Sequence, residues 1–160
     1  MRLLTLFAVS LIIFACASEP GSDWKARDLT GYNIPISIMV PDSAVIEANN
    51  LSGIMQDVTI ESKVDDYSVQ VLANQASTSD MAKLKSEQLE LVRDNRYFSR
   101  IISEEPTGFI FENQIDSTSI YGFRYIIYQG DQQFVFQNGF NGTFGLLEIE
   151  RMYSAVKQDK

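Results

Sequence analysis

The residues that could carry chemistry are few, and their spacing decides most cases. Asp65-Asp66 and Glu104-Glu105 are adjacent carboxylates. Neighbouring residues in a turn point apart, so neither pair forms a general acid/base couple, and both read as solvated turn residues. Asp116-Ser117-Thr118-Ser119 puts its hydroxyls one, two and three positions after the aspartate, whereas a D-x-S-x-S cation loop needs them at two and four. Lys83 and Lys85 sit on a polar helix face with no serine placed for a Ser-Lys dyad. The chain has no histidine, which removes His-based acid–base chemistry, Ser-His-Asp and Cys-His triads and nearly every zinc site. EF-hand, P-loop and G-x-S-x-G patterns are missing as well. No catalytic residue, metal or cofactor is expected.

Recognition chemistry remains. Arg93, Arg96, Arg100 and Arg124 are the most concentrated positive charge in a chain of net charge −8. If the first three share a side, they form a surface for an acidic partner or a headgroup; otherwise they are helix-end and solvated charges. Phe140 and Phe144 lie in a glycine-rich loop, Asn138 to Phe144, where they either rim a ligand groove or cap the core. With the arginines they make up the candidate interaction surface. Asn141-Gly142-Thr143 and Asn50-Leu51-Ser52 match the glycosylation sequon.

The elements that must position these residues follow from periodicity. Ile34, Ile36, Ile38 and Val40 alternate as one buried strand face, with Pro35 at the strand start or on an edge. Pro41-Asp42-Ser43 turns the chain into a short return strand, Ala44 to Glu47. Val58 and Ile60, then Tyr67, Val69 and Val71, read as a hairpin broken at Asp65-Asp66. Residues 80–95 contain no Gly or Pro and predict a helix with Met81, Leu84, Leu91 and Val92 on one arc, Gln88 intruding, and Ser77 or Ser79 as N-cap. Phe98 to Ser103 and Gly108 to Ile115 are strands. Tyr121 to Gln129, Gly130-Asp131 and Gln132 to Gly139 read as a two-residue hairpin setting Ile127 opposite Phe134 and Tyr125 opposite Phe136. Ile149, Met152, Tyr153 and Val156 define one face of a closing helix that lies across the sheet.

The N-terminus sets the address. Arg2 precedes an apolar run of about a dozen residues, Leu3 to Phe14, shorter than the roughly 20 that a membrane-spanning helix needs. It has the length and flanks of a cleaved export signal. Ile13-Phe14-Ala15-Cys16 resembles the lipobox of bacterial lipoproteins. That resemblance implies cleavage before Cys16, lipidation of its sulfur and acylation of the new N-terminus, two chains being enough for stable anchoring. Ala17, in place of Asp, favours the outer over the inner membrane by the same resemblance. The domains are then a signal peptide at 1–15, a lipidated N-terminus and flexible tether at 16–31, and one globular α+β domain at 32–160. Trp24 either docks on that domain or lies against headgroups. Cleavage leaves about 145 residues, a single domain. It is acidic with no basic tract, so nucleic acid is not an expected partner, and anionic headgroups repel it unless the lipid holds it. Without Cys16 it has no thiol, so stability rests on the core.

The segments Tyr32 to Asp42, Tyr121 to Phe136 and Gly145 to Lys157, in their order, are similar to the PsbP/Mog1-like domains. The resemblance implies an α/β/α sandwich, an antiparallel sheet with helices packed on it, and a role in binding other proteins without an active site. The chain therefore reads as a membrane-anchored, non-catalytic envelope lipoprotein, a monomeric domain acting as an interaction or accessory module for an envelope protein. The alternative is a small-ligand-binding lipoprotein with a cleft between sheet and C-terminal helix lined by Tyr121, Tyr125, Phe140 or Tyr153. A carboxylate-based hydrolase would need several Asp or Glu converging in one cleft.

Overall fold

In a computed structural model, the described residues are 23–51 and 55–158. The export signal, Cys16 and residues 17–22 of the expected tether lie outside them. Seven strands form one sheet, with every neighbouring pair antiparallel. They are β3 (Val45–Leu51), β4 (Met55–Ser62), β5 (Tyr67–Gln75), β6 (Phe98–Glu105), β7 (Gly108–Ile115), β8 (Thr118–Gln129) and β9 (Gln132–Asn138). The spatial order β3-β4-β5-β9-β8-β7-β6 joins two three- and four-stranded meanders through β5 and β9. The β8–β9 hairpin has the expected register, Ile127 opposite Phe134 and Tyr125 opposite Phe136. Its turn residues Gly130 and Asp131 have φ of 59° and 61°, the paired left-handed conformation that matches strand twist.

Alternation along the strands divides the core. Phe109 and Phe111 project to one face, where Leu89 and Val92 of α1 (Met81–Arg93) cover them. Ile110, Phe123, Tyr125, Phe134 and Phe136 project to the other, beneath Ile149, Met152, Tyr153 and Val156 of α2 (Leu146–Val156). The domain is α+β, with a helix on each face of an antiparallel sheet.

The first segment departs from expectation. Of the expected tether at 16–31, the part from Trp24 onward is folded. Strand β1 (Lys25–Asp28) pairs antiparallel with β2 (Ser37–Val40) in a separate two-stranded ribbon, and a 3-10 turn at Thr30–Tyr32 joins them. Trp24 is 9 % exposed and meets Tyr67 edge-on at 5.0 Å, while the Arg151 guanidinium lies 4.8 Å over its ring. Leu29 is fully buried beside it. Ile34, Ile36, Ile38 and Val40 all point into the α2-side core, as their alternation requires. The expected return strand does not pair back on β2. It becomes β3, the edge of the large sheet, paired with β4.

Helix α1 also differs in detail. Its N-cap is Asp80, whose carboxylate accepts from the backbone N–H of Ala82 (2.9 Å) and Lys83 (3.4 Å). Its buried positions are Leu84, Leu89 and Val92, whereas Leu91 is 66 % exposed. The helix is turned toward Lys85, which reaches under it to the Glu104 carboxylate (2.8 Å) and the Glu105 carbonyl (3.0 Å). The contact accompanies a helix face that has Leu89 inward and Leu91 out. Among the described residues no helix is long and apolar enough to cross a membrane.

Candidate functional site

The arginines do not converge. Arg93 ends α1 and is exposed; Arg96, just beyond it, stacks over its neighbour Tyr97 at 4.4 Å. Arg100 on β6 is engaged: its Nε lies 2.5 Å from the Glu112 carboxylate. Ser119 donates a hydrogen bond to the other Glu112 oxygen. Those two bonds, Ser119 first, hold the Glu112 carboxyl below its ordinary range. Arg124 is two strands away on the opposite, α1-side face, cross-strand from Phe109 and Gln137.

The adjacent acids point apart. Glu104 faces α1 and pairs with Lys85. Glu105 faces α2, where Lys157 (2.6 Å) and the Tyr153 hydroxyl (3.2 Å) donate to it. They are paired residues at a strand end, not free turn charges. Asp65 accepts hydrogen bonds from the Ser43 and Ser62 hydroxyls, which lower its pKa, while Asp66 occupies the turn at φ 48°. Among the described residues no group of three or more Asp, Glu, His or Cys side chains is placed to hold a metal.

Of the aromatic residues expected to line a cleft under α2, Tyr125 and Tyr153 are packed instead, Tyr121 packs partly against the same core and Phe140 lies on the other face. Tyr125 and Tyr153 meet edge-to-face at 5.9 Å, and Phe123 meets Tyr153 at 5.8 Å, which closes that interface. The two loop phenylalanines separate. Phe144 packs against the α2-side core and borders a cleft of about 370 Å³ with Glu61, Lys63, Asp66 and Glu148. Phe140 is 82 % exposed and stands over the α1-side face.

There it borders a second cleft, of about 270 Å³, with Arg124. The end of α1 supplies one wall through Leu91, Val92 and Asn95. The floor is Phe111 on β7 and Gly122 on β8. Glycine is required at 122 because a Cβ would come within 2.6 Å of the Phe111 ring and 3.0 Å of the Asn138 side chain. Asn138 holds its place by accepting from the Phe123 N–H (3.3 Å). The polar members are Arg124, Asn113, Asn95, Asn138 and Tyr121, of which the first two have hydrogen-bonding groups left over. One Arg124 terminal nitrogen donates to the Phe123 carbonyl at 3.0 Å, and its guanidinium lies 5.7 Å from the Phe111 ring. The four ion pairs among the described residues use Lys25, Lys85, Arg100 and Lys157, so no carboxylate neutralises Arg124. Burial pulls its pKa down to about 10. The Asn113 side-chain oxygen is buried without a hydrogen-bond partner.

Three sequence candidates, Arg124, Phe140 and Tyr121, thus border one site with residues not selected from the sequence as site residues: Asn113, Gly122 and Leu91. A glycine inside an aromatic strand was the available signal for Gly122, since it marks close approach. The arrangement offers cationic and amide hydrogen bonding beside apolar walls, which suits binding rather than proton transfer. Against known proteins, no family model, no curated protein and no solved structure matches this chain.

Proposed function

We propose that this chain is a lipid-anchored, non-catalytic lipoprotein of the bacterial envelope, an accessory module that binds an envelope protein through the α1-side cleft. The observation that carries the reading is the exposure of Phe140 and Leu91, 82 % and 66 %, around a cleft with an arginine that has no ion-pair partner among the described residues. Large apolar side chains rimmed by polar groups mark interaction sites. The lipobox-like stretch ending at Cys16 supports the anchor and Ala17 the outer membrane. The order of elements, with one helix on each sheet face, supports a PsbP/Mog1-like domain. A small-ligand role has the same cleft in its favour, on the face opposite to α2.

The test is photo-crosslinking in intact cells from the full-length protein, with the reactive group placed at Phe140 or Leu91, followed by mass spectrometry. The expected result is one recurrent envelope protein, captured at both positions and lost from a control position on Arg27. Equal capture at all three positions defeats the partner-binding reading. Cell fractionation of Cys16→Ser tests the anchor: the variant is expected to leave the membrane fraction, and its retention there rules the lipid out.

A further inference from the structure

The α1-side cleft carries a more specific chemistry than an apolar contact. Arg124 has five N–H donors in a planar fork. Only one terminal nitrogen has a protein partner among the described residues, so Nε and the second terminal nitrogen are free. The C-terminal end of α1 gives the cation a favourable dipole, yet no helix carbonyl takes a hydrogen bond from it. Asn113 adds an orphaned amide in the same cleft. Its oxygen is the enclosed end of the amide, which leaves the NH₂ as the end that donates to an incoming acceptor. The apolar part of the lining is Phe111, Leu91, Val92, Ile120 and Phe140, interleaved with Asn95, Tyr121 and Asn138.

We propose that this cleft binds a carboxylate borne on a compact apolar group, the oxygens held by Arg124 and Asn113 and the apolar part set between Phe140 and Leu91. The guanidinium fork matches two carboxylate oxygens at once, a geometry that a single cation satisfies fully. A phosphate dianion would find one cation where its charge calls for more. The volume, about 270 Å³, is at or below the lower end of drug-sized pockets, so the apolar group is about one aromatic ring or one amino-acid side chain. Two sources share this chemistry: a free small organic acid and the C-terminal residue of a polypeptide. The inference deepens the binding role proposed above and rests on it for the place of the site.

The test uses the isotope-labelled full-length chain in detergent micelles, observed by NMR. Probes are hydrocinnamate, its neutral amide, inorganic phosphate, and a peptide ending in phenylalanine with either a free or an amidated C-terminus. Hydrocinnamate is expected to give saturable shifts centred on Gly122, Arg124 and Asn138, with its amide weaker by about tenfold. Arg124→Gln is expected to lose about tenfold in affinity, and Phe140→Ser severalfold. If Arg124→Gln does not fold, the acid–amide comparison on the unaltered chain and the exposed Phe140→Ser variant decide. Amide binding as tight as the acid, displacement of hydrocinnamate by an equal concentration of phosphate, or a folded Arg124→Gln with unchanged affinity each overturns the proposal. A free-ended peptide that outcompetes hydrocinnamate identifies the source as a polypeptide end, and the reverse order identifies a small acid; both orders uphold the carboxylate site. Crosslinks at Phe140 without carboxylate binding overturn this inference alone and leave the partner-binding role standing.

Discussion

Arg124 is held cationic in a half-buried position where, among the described residues, no acid pairs with it, and the fold bears a desolvation cost for it. Groups kept under such conditions are where stability is given up for function. Arg124→Met is therefore expected to raise stability by about 1 kcal/mol, or about 4 °C in thermal midpoint. The guanidinium pKa is depressed only to about 10, so at neutral pH the group is charged in both folded and unfolded chains. The gain should then be flat from about pH 6 to 8, and a gain that vanishes across that range would mean that another group is responsible. Glu112 runs the other way. Its folded pKa lies below the ordinary 4.5, so its contribution is complete above that value and lost as pH falls through the folded pKa. Urea titrations of the wild type and Glu112→Gln should differ at pH 6 and converge in acid; parallel pH curves would contradict the role given to Ser119 and Arg100. The sequence made Arg124 visible as a charge in an aromatic strand. It did not reveal that Arg124 and Arg100 lie on opposite faces, because that depends on how two separate strands register across β7.

Elements were legible where side chains alternate and obscure where the backbone alone does the work. The face of α2 and the β8–β9 register follow from apolar spacing. Strand β1 could not be found that way, since all four of its residues are exposed and only pairing with β2 makes it a strand. The signals left were Trp24 and Leu29, two large apolar residues in a polar stretch. Trp24→Ala is accordingly expected to destabilise the domain by about 3 kcal/mol in denaturant unfolding, where a tether residue would change it by less than about 0.5 kcal/mol. The helix start is similar. Ser77 and Ser79 are the caps the sequence suggests, and geometry picks Asp80 instead. Asp80→Ala should cost about 1 kcal/mol while Ser79→Ala costs little, and equal losses would reassign the cap. Leu91 and Leu89 are both compatible with the 3.6-residue period. Packing on Phe109 and Phe111 distinguishes them, and that contact joins residues about twenty positions apart in the chain.

At the scale of the whole molecule the class was legible, an antiparallel sheet with helices on it, because two hairpins and two amphipathic helices leave few other ways to bury their apolar faces. Which loop phenylalanine stays outside was not, since Phe140 and Phe144 lie in the same glycine-rich loop and packing distinguishes them. The burial of Trp24 also has a consequence for distance. With the lipid proposed on Cys16, only the seven residues from Ala17 to Asp23 lie between anchor and folded domain. Fully extended they span about 25 Å, comparable to the width of the domain itself. A binding partner must then meet the cleft close to the bilayer, at a local concentration set by that short leash. Inserting a long Gly/Ser segment before Asp23 would leave the fold's stability untouched but dilute the encounter, so crosslinking from Phe140 to a membrane-bound partner should fall. If it does not, the partner reaches the domain from solution and the short leash sets only where the domain resides.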